Sequence, residues 1–177
     1  MTELKHWFFV QPIIRVCIET VLMFVLWTAL MLILRGKARR IAACVGFALA
    51  VVLIIAMTVW GRRSGSRCEL SLIPLITFVR AKSTPVLYRS MFMNVILFMP
   101  FGLSLPFALP EKVKLKPLIA IISGFVLSVT VEATQYFRKF GECETDDVIM
   151  NTLGVAVGVM SFVIVCAVLK RRRQKKQ

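Results

Sequence analysis

Long apolar runs alternate with short polar gaps through most of this chain. Five such runs lie at residues 12–34, 41–60, 92–109, 118–137 and 148–169. Each has roughly 18 to 23 residues, and a helix of that length crosses a hydrocarbon core about 30 Å thick. The pattern therefore predicts an all-α, polytopic membrane protein, built as a bundle of about five transmembrane helices.

Composition supports this prediction. Hydrophobic residues make up 58% of the 177 residues, and the mean hydropathy is +0.80, which excludes a soluble domain. The net charge of +14 comes from Lys and Arg that flank the apolar runs. Because they form no continuous stripe interleaved with aromatic residues, nucleic acid is excluded as a partner. The expected partners are membrane lipids, and the oligomeric state is left open.

The gap at residues 61–91 contains a shorter apolar piece, LSLIPLITF. This piece is too short to cross the membrane, and Pro74 interrupts any helix, so an interfacial or re-entrant segment is expected. The chain then divides into an N-terminal two-helix region at residues 1–69, a membrane domain at residues 70–168 and a basic tail at residues 169–177.

The distribution of basic residues predicts an orientation. The tail KRRRQKK is the densest basic cluster, so the C-terminus is expected in the cytoplasm together with RGKARR and EKVKLK. These gaps carry six, four and three Lys and Arg residues, 13 in all, against 10 on the other side. The difference has the sign of the positive-inside bias, but it is small because residues 61–91 carry six basic residues.

The five cysteines fall into two groups. Cys17, Cys44 and Cys166 lie within apolar runs, where they are expected to pack as small hydrophobic residues. Cys68 and Cys143 lie in gaps that this topology places on one side, so a disulfide and two separate thiols both stay open. No cysteine or histidine spacing matches a metal site, so no metal and no cofactor are expected.

The fourth and fifth runs each carry a polar stripe. Small and polar residues recur there at helical spacing: Gly124, Ser128, Glu132 and Gln135 in the fourth run, and Asp147, Asn151, Gly154 and Gly158 in the fifth. Gly154 and Gly158 have the GxxxG spacing that lets helix backbones approach closely in lipid. The two helices are therefore expected to pack along these stripes.

A short loop joins the fourth and fifth helices, so the polar ends of both stripes should meet at one membrane face. The third run begins at the same face and adds an asparagine. The polar cluster expected there comprises Asn94, Glu132, Gln135, Asp147 and Asn151.

Glu132 is the residue of this cluster most indicative of function. An ionisable group inside a membrane-crossing helix is costly, and by default it marks a functional site. The alternative is a structural fastener, in which Glu132 pairs with Arg89 or Arg138, or hydrogen-bonds Gln135 and Asn151.

Residues around the cluster have supporting roles. Pro100 and Pro106 cannot donate backbone hydrogen bonds, so the third helix should kink and wall a cavity. Arg80 and Arg89 are candidate contacts for an anion. Asp146 is expected mainly to cap the start of the fifth helix.

Three blocks, NVILFMPFGLSLP, GFVLSVTVEATQYF and DDVIMNTLGVAVG, resemble the successive motifs of the VanZ-like family, and LSLIPLITF resembles the segment before them. The resemblance covers residues 70–168. It rests on an ordered set of residues: Asn94, Pro100, Gly102, Glu132, Gln135, Asp147, Asn151, Thr152 and Gly154. It implies a bacterial plasma-membrane protein, related to one associated with reduced susceptibility to teicoplanin and similar lipid-bearing glycopeptides. It implies no settled mechanism.

Three kinds of function fit these residues. In the first, the cluster faces outward and binds a lipoglycopeptide, a cell-wall precursor headgroup or another amphiphile. The second is an intramembrane enzyme acting on a lipid-linked or amphiphilic envelope substrate, with Glu132 and Asp147 as acid and base. An enzyme is less favoured because the chain lacks the motifs of a serine nucleophile or a zinc site. The third is a scaffold subunit of an envelope complex. A transporter is disfavoured because no inverted repeat is present.

Overall fold

The chain folds as a bundle of α-helices. The computed structural model describes residues 13–60, 70–71, 73–82, 86–138 and 143–175. The helices are α1 (Ile13–Ile33), α2 (Gly36–Thr58), α3 (Ile76–Ala81), α4 (Val86–Ala108), α5 (Lys116–Phe137) and α6 (Thr145–Gln174). Two short strands, β1 (Leu70–Ser71) and β2 (Cys143–Glu144), pair in parallel, with Ser71 opposite Glu144. The predicted all-α class is confirmed, since no longer strand occurs in the described residues.

Each of the five apolar runs corresponds to one long helix. Four are long and apolar enough to cross a membrane: α2, α5, α6 and the Leu87–Ala108 part of α4. In α1 the apolar stretch among the described residues, Ile18–Ile33, is shorter. Large hydrophobic side chains such as Met23, Ile41 and Val52 are exposed on the outer faces of the helices, where lipid can solvate them. The protein is therefore a multi-pass membrane protein.

Helices α2 and α6 extend into the basic clusters RGKARR and KRRRQKK beside their apolar runs. Helix α2 begins at Gly36, so most of the basic gap RGKARR is helical, in keeping with the helix propensity of Lys and Arg. Helix α6 has 30 residues and continues to Gln174. Its last turn contains Arg171, Arg172 and Arg173, which lie at the negative end of the helix dipole.

Helix α4 lies at the centre of the bundle and contacts all five other helices of the described chain. Its Phe98 and Phe101 belong to the main core cluster together with Val155 of α6. The helix stays a single element through Pro100 and Pro106. Neighbouring helices supply the cover that a proline-containing membrane helix needs. The kink expected at the prolines stays a prediction.

The GxxxG face of α6 packs against α4. A Cβ atom on Gly154 would overlap the backbone of Val95, and one on Gly158 would overlap the backbone of Met99. Glycine is therefore required at both positions for this close approach. The expectation that this face packs against the fourth apolar run is wrong. GxxxG spacing identifies a face that allows close approach, but it does not identify the helix that approaches.

Helix α5 packs against a different part of α6. A Cβ atom on Gly124 would overlap the side chain of Val155. One turn further along, Ser128 Oγ accepts a 2.9 Å hydrogen bond from Asn151 Nδ2. The stripe of α5 thus faces α6 as expected, although the glycines of α6 face elsewhere.

Candidate functional site

Polar side chains from several helices meet at one end of the bundle, where α2 and α5 end and α4 and α6 begin. The polar cluster predicted from the sequence lies at this end and comprises Asn94, Glu132, Gln135, Asp147 and Asn151. Glu132, Gln135 and Asn151 expose only 5%, 3% and 2% of their surface. Asn94 and Asp147 are half-buried. The polar cluster therefore has a buried floor and a partly accessible rim.

Helix α5 supplies two residues of the floor, Glu132 and Gln135, both within its last two turns. Gln135 Nε2 donates a 3.1 Å hydrogen bond to the backbone carbonyl of Thr58, the last residue of α2. Terminal helix carbonyls lack partners within their own helix, so this bond satisfies one of them. Sequence reasoning missed Thr58 because its contribution is a backbone oxygen, which any residue could supply.

Asn151 of α6 completes the floor, and its two amide atoms differ in their bonding. Its Nδ2 donates to Ser128 Oγ. Its Oδ1 is buried and accepts no hydrogen bond from the described residues. A buried acceptor without a donor costs roughly 1 to 3 kcal/mol. This oxygen is therefore well suited to receive a donor from a ligand or a water molecule.

Asn94 and Asp147 form the rim. Asn94 Nδ2 donates a 2.7 Å hydrogen bond to Asp147 Oδ1, which links α4 to α6. Asp147 lies in the first turn of α6, where its carboxylate meets the positive end of the helix dipole. The rim therefore presents a carboxylate whose position is fixed by a neighbouring helix.

A second polar group, here named the clasp, comprises Thr77, Arg80, Glu144 and Asp146. The Asp146 carboxylate accepts hydrogen bonds from the backbone N–H groups of Leu75 and Thr77, at 2.5 and 2.7 Å. Thr77 Oγ1 donates to Glu144 Oε2 at 2.8 Å, and Arg80 Nη1 lies 3.7 Å from Glu144 Oε1. Leu75 has φ 64°, a left-handed conformation that is rare outside glycine, and its bond to Asp146 stabilises it. The clasp thus fastens α3 against the start of α6.

The role expected for Asp146 as the cap of α6 is wrong. Glu144 occupies the N-cap position and makes no side-chain capping bond. The Asp146 carboxylate instead bonds a segment 69 residues away in sequence. Capping rules consider only neighbouring residues, so they missed this contact and the roles of Thr77 and Glu144. One signal was present in the sequence, since the run ECETDD contains more acids than a single cap requires.

The VanZ/LLP1 family profile matches residues 41–166, a range that contains the polar cluster and the clasp. The chain belongs to the VanZ/LLP1 family. This confirms the resemblance inferred from the three motif blocks. The matched range begins within α2, and the domain boundaries placed at residues 69 and 168 stay predictions.

One relative of this VanZ/LLP1 protein is "Protein VanZ" from Enterococcus faecium. The two are 39% identical over 75 residues, which cover 42% of this chain and 45% of that protein. The match therefore spans less than half the length of that relative. No solved structure matches this chain.

The two candidate anion contacts of this VanZ/LLP1 protein lie near the polar cluster. Arg80 is half-exposed and belongs to the clasp. Arg89 is half-buried in the first turns of α4, the helix that also carries Asn94. Their contact with an anion stays a prediction. Among the described residues, no group of three or more His, Cys, Asp or Glu side chains is arranged to hold a metal ion.

The cysteines of this VanZ/LLP1 protein are placed only in part. Cys44 and Cys166 are free and exposed, so they do not pack in the protein core, and their packing as small hydrophobic residues against lipid stays a prediction. An apolar run does not reveal which of its faces meets lipid. The disulfide considered for Cys68 and Cys143, and the side chain of Cys17, lie outside what the structure describes.

Exposed aromatic side chains lie at the same end of the bundle as the polar cluster. They are Trp60, Tyr88, Tyr136 and Phe137. Trp and Tyr favour the level of the lipid headgroups, where one edge of the ring meets water. Glu132 lies one helical turn before Tyr136. From these aromatic residues we infer that the floor of the polar cluster lies just inside the level of the membrane interface.

Proposed function

We propose that this VanZ/LLP1 protein lowers bacterial susceptibility to teicoplanin-type lipoglycopeptides by binding an amphiphile or an envelope headgroup at the polar cluster. One observation carries the proposal: Glu132, Gln135 and Asn151 are buried together at one end of a membrane bundle. Polar groups at membrane depth are costly, and they are typical of sites that bind or move a polar ligand. The connection with teicoplanin comes from the family resemblance.

The residues of the site suit a ligand that is polar at one end and apolar at the other. The Asp147 carboxylate and Asn151 Oδ1 are acceptors for hydroxyl, amine or amide donors of a headgroup. Arg80 can contact a phosphate or carboxylate through its half-exposed guanidinium. The lipid-facing side of α5 exposes Phe125 and Val129, which would contact an acyl chain. An amphiphile satisfies both kinds of surface.

We propose that a ligand enters the floor when α3 moves. The floor residues are buried in this conformation, and the clasp fastens α3 at the same end of the bundle. The bonds of the clasp are few and hold a helix of only six residues. Opening of so short a helix is a local event that leaves the long helices in place. We therefore assign α3 the role of a cover.

The proposal includes an outward-facing polar cluster and a cytoplasmic C-terminus. The 13 basic residues at the opposite end of the bundle support this orientation. An outward site could meet a lipoglycopeptide before the antibiotic reaches its target at the membrane surface.

Expression in a glycopeptide-sensitive Gram-positive host tests the proposal. We expect the minimum inhibitory concentration of teicoplanin to rise several-fold. That of vancomycin, which carries no lipid chain, should change much less. Unchanged susceptibility to both antibiotics, with the protein present in the membrane, would contradict the proposal.

The substitution Glu132→Gln separates a binding role from a scaffold role. It preserves the size of the side chain and removes its charge, so binding at the polar cluster should weaken. The rise in the minimum inhibitory concentration of teicoplanin should then be lost. Thr130→Val is the matched control, because Thr130 is exposed on the same helix and its hydroxyl donates to the backbone carbonyl of Val126 in that helix. If Glu132→Gln retains full protection at equal expression, the protein is a scaffold.

A further inference from the structure

The end of the bundle opposite the polar cluster is strongly basic. This basic end comprises the described residues 34–40, 109–116 and 166–175, from the α1–α2 turn, the α4–α5 turn and the end of α6. In the sequence, these segments and the two residues that follow the last one carry 13 Lys and Arg residues and a single acid, Glu111. A charge imbalance of this size, confined to one end of a membrane bundle, predicts attraction to anionic groups.

Three of these cations are held in place by backbone carbonyls. Arg39 Nη2 donates to the carbonyl of Leu34 at 2.5 Å, and Arg40 Nε donates to that of Ala108 at 3.2 Å. Lys116 Nζ donates to the carbonyl of Leu109 at 3.1 Å. Cations commonly bind the carbonyls at helix C-termini in this way. A carbonyl fixes the position of a cation without neutralising its charge.

The charge of these three residues stays uncompensated by carboxylates. Neither Arg39 nor Arg40 nor Lys116 forms a salt bridge within the described part of the chain. Arg39 also lies over the ring of Phe107, with 5.9 Å from its guanidinium carbon to the ring centroid, and its buried Nε makes no hydrogen bond to a described residue. Each guanidinium and ammonium group therefore keeps N–H donors for a further acceptor.

The three cations come from separate helices but lie around the same chain segment, the end of α4. Arg39 of α2 lies over the ring of Phe107, and Arg40 and Lys116 donate to the carbonyls of Ala108 and Leu109. Positions on α2 and at the start of α5 are thus brought together. An oxyanion there could contact Arg and Lys side chains from more than one helix.

Exposed apolar side chains lie directly beside these cations. On α2, Ile41 and Val45 follow Arg40 and are 64% and 52% exposed, and on α5 Leu118 and Ile122 follow Lys116. A phospholipid places its phosphate at the level of the helix ends and its acyl chains against such faces. We propose that the basic end binds an anionic phospholipid, whose phosphate contacts Arg39, Arg40 and Lys116. A free phosphate ion would use only half of this surface.

Native mass spectrometry of the full chain, released from nanodiscs of phosphatidylglycerol and phosphatidylcholine in equal amounts, tests this proposal. The released protein should retain phosphatidylglycerol several-fold more than phosphatidylcholine. Arg40→Gln and Lys116→Gln should each remove most of this preference. The matched control is Arg171→Gln together with Arg172→Gln, which removes two exposed charges from the same end without removing a carbonyl-anchored cation and should retain the preference.

Three outcomes would overturn the proposal. Equal retention of the two lipids would show that no anionic site exists. Equal loss of the lipid preference in Arg40→Gln, in Lys116→Gln and in the Arg171→Gln, Arg172→Gln control would show attraction by overall charge alone. Displacement of the lipid by inorganic phosphate at low concentration would show a site for the free ion. If Arg40→Gln does not fold, Lys116→Gln and the charge-preserving Arg40→Lys carry the test, and Arg40→Lys should keep most of the preference. None of these measurements of lipid retention depends on activity at the polar cluster.

Discussion

Asn94 of α4 donates a 2.7 Å hydrogen bond to Asp147 of α6, at the end of an interface in which the backbones of the same two helices touch at glycine. The close approach at Gly154 brings α6 against α4 along its length. The polar bond adds a directional contact at the point where α6 begins. It therefore sets the register of the two helices beside the polar cluster.

Removing this bond should destabilise the bundle moderately. We expect Asn94→Ala to lower the free energy of unfolding by about 0.6 kcal/mol and by no more than about 1.7 kcal/mol, the mean and the maximum for hydrogen bonds between membrane helices. Asp147→Asn should cost less, because the new amide oxygen can still accept from Asn94. Unfolding in mixed detergent micelles measures both variants.

A double-mutant cycle shows whether the two residues act as a pair. The combined loss for Asn94→Ala and Asp147→Ala should be smaller than the sum of the single losses. Strictly additive losses would mean that the bond contributes nothing to stability. Ser161→Ala is a control, since the Ser161 hydroxyl donates to the backbone carbonyl of Val157 in its own helix.

The number and positions of the long helices could be predicted from the sequence because lipid imposes one simple requirement on each. A run such as residues 118–137 must be apolar and long enough to span, and both properties can be read locally. The meeting of the polar residues of α5 and α6 at one end of the bundle could be predicted from topology alone, since a short loop joins the two helices. These predictions needed no knowledge of which helices touch.

Contacts between distant segments could not be predicted in the same way. Gly154 and Gly158 marked a face for close packing, but both α4 and α5 were available to fill it, and the choice depends on the whole bundle. Asp146 was placed as a local cap because local rules offer no other partner. Its actual partners, Leu75 and Thr77, lie about 70 residues earlier in the chain and come close only after folding.

Substitution of the glycines should show which helix pairs pack by backbone contact. Gly154→Ala places a methyl group against the backbone of Val95, which cannot move independently of α4. We expect a loss of about 1 to 3 kcal/mol in the free energy of unfolding, as for overpacking in a core. Gly124→Ala meets only the side chain of Val155, so its cost should be lower.

The variant Val155→Ala tests this interpretation. It makes room for the added methyl group at residue 124, so it should partly rescue Gly124→Ala and leave Gly154→Ala unrescued. Rescue of both variants, or of neither, would contradict the contacts described for the two glycines. The same unfolding measurement serves for the three single variants and the two double variants.

Loss of the Asp146 carboxylate should release α3 without unfolding the bundle. The substitution Asp146→Ala removes two hydrogen bonds to backbone N–H groups, and bonds to charged groups contribute about 1.5 to 3 kcal/mol each. Amide hydrogen exchange in residues 76–81 should therefore accelerate at least roughly 10-fold. Exchange in the middle of α4 should not change.

Asp147→Ala is the matched control for this experiment, because the adjacent carboxylate accepts a hydrogen bond from Asn94 of α4. It should leave exchange in residues 76–81 near the level of the unsubstituted protein. Equal acceleration in both variants would show that negative charge at the start of α6, and not the specific bonds of Asp146, holds the clasp.

The orientation of the bundle follows from cysteine accessibility in a protein whose five native cysteines have been replaced. We expect Arg138→Cys, beside the polar cluster, to react with a membrane-impermeant thiol reagent in intact cells. Lys112→Cys, at the basic end, should react only after the membrane is opened. The physical reason is the retention of Lys and Arg on the cytoplasmic side during insertion, and the basic end carries 13 of them.

The opposite labelling pattern would have a specific consequence. A polar cluster that faces the cytoplasm could not meet an antibiotic arriving from outside, so the proposed function would fail while the geometry of the cluster stayed unchanged. The anionic-lipid site would survive, because both leaflets of a bacterial membrane can present phosphatidylglycerol to Arg40 and Lys116. Labelling of both positions in intact cells would instead indicate that the protein inserts in two orientations. This outcome is worth testing because the excess of basic residues on the expected cytoplasmic side, 13 over 10, is small.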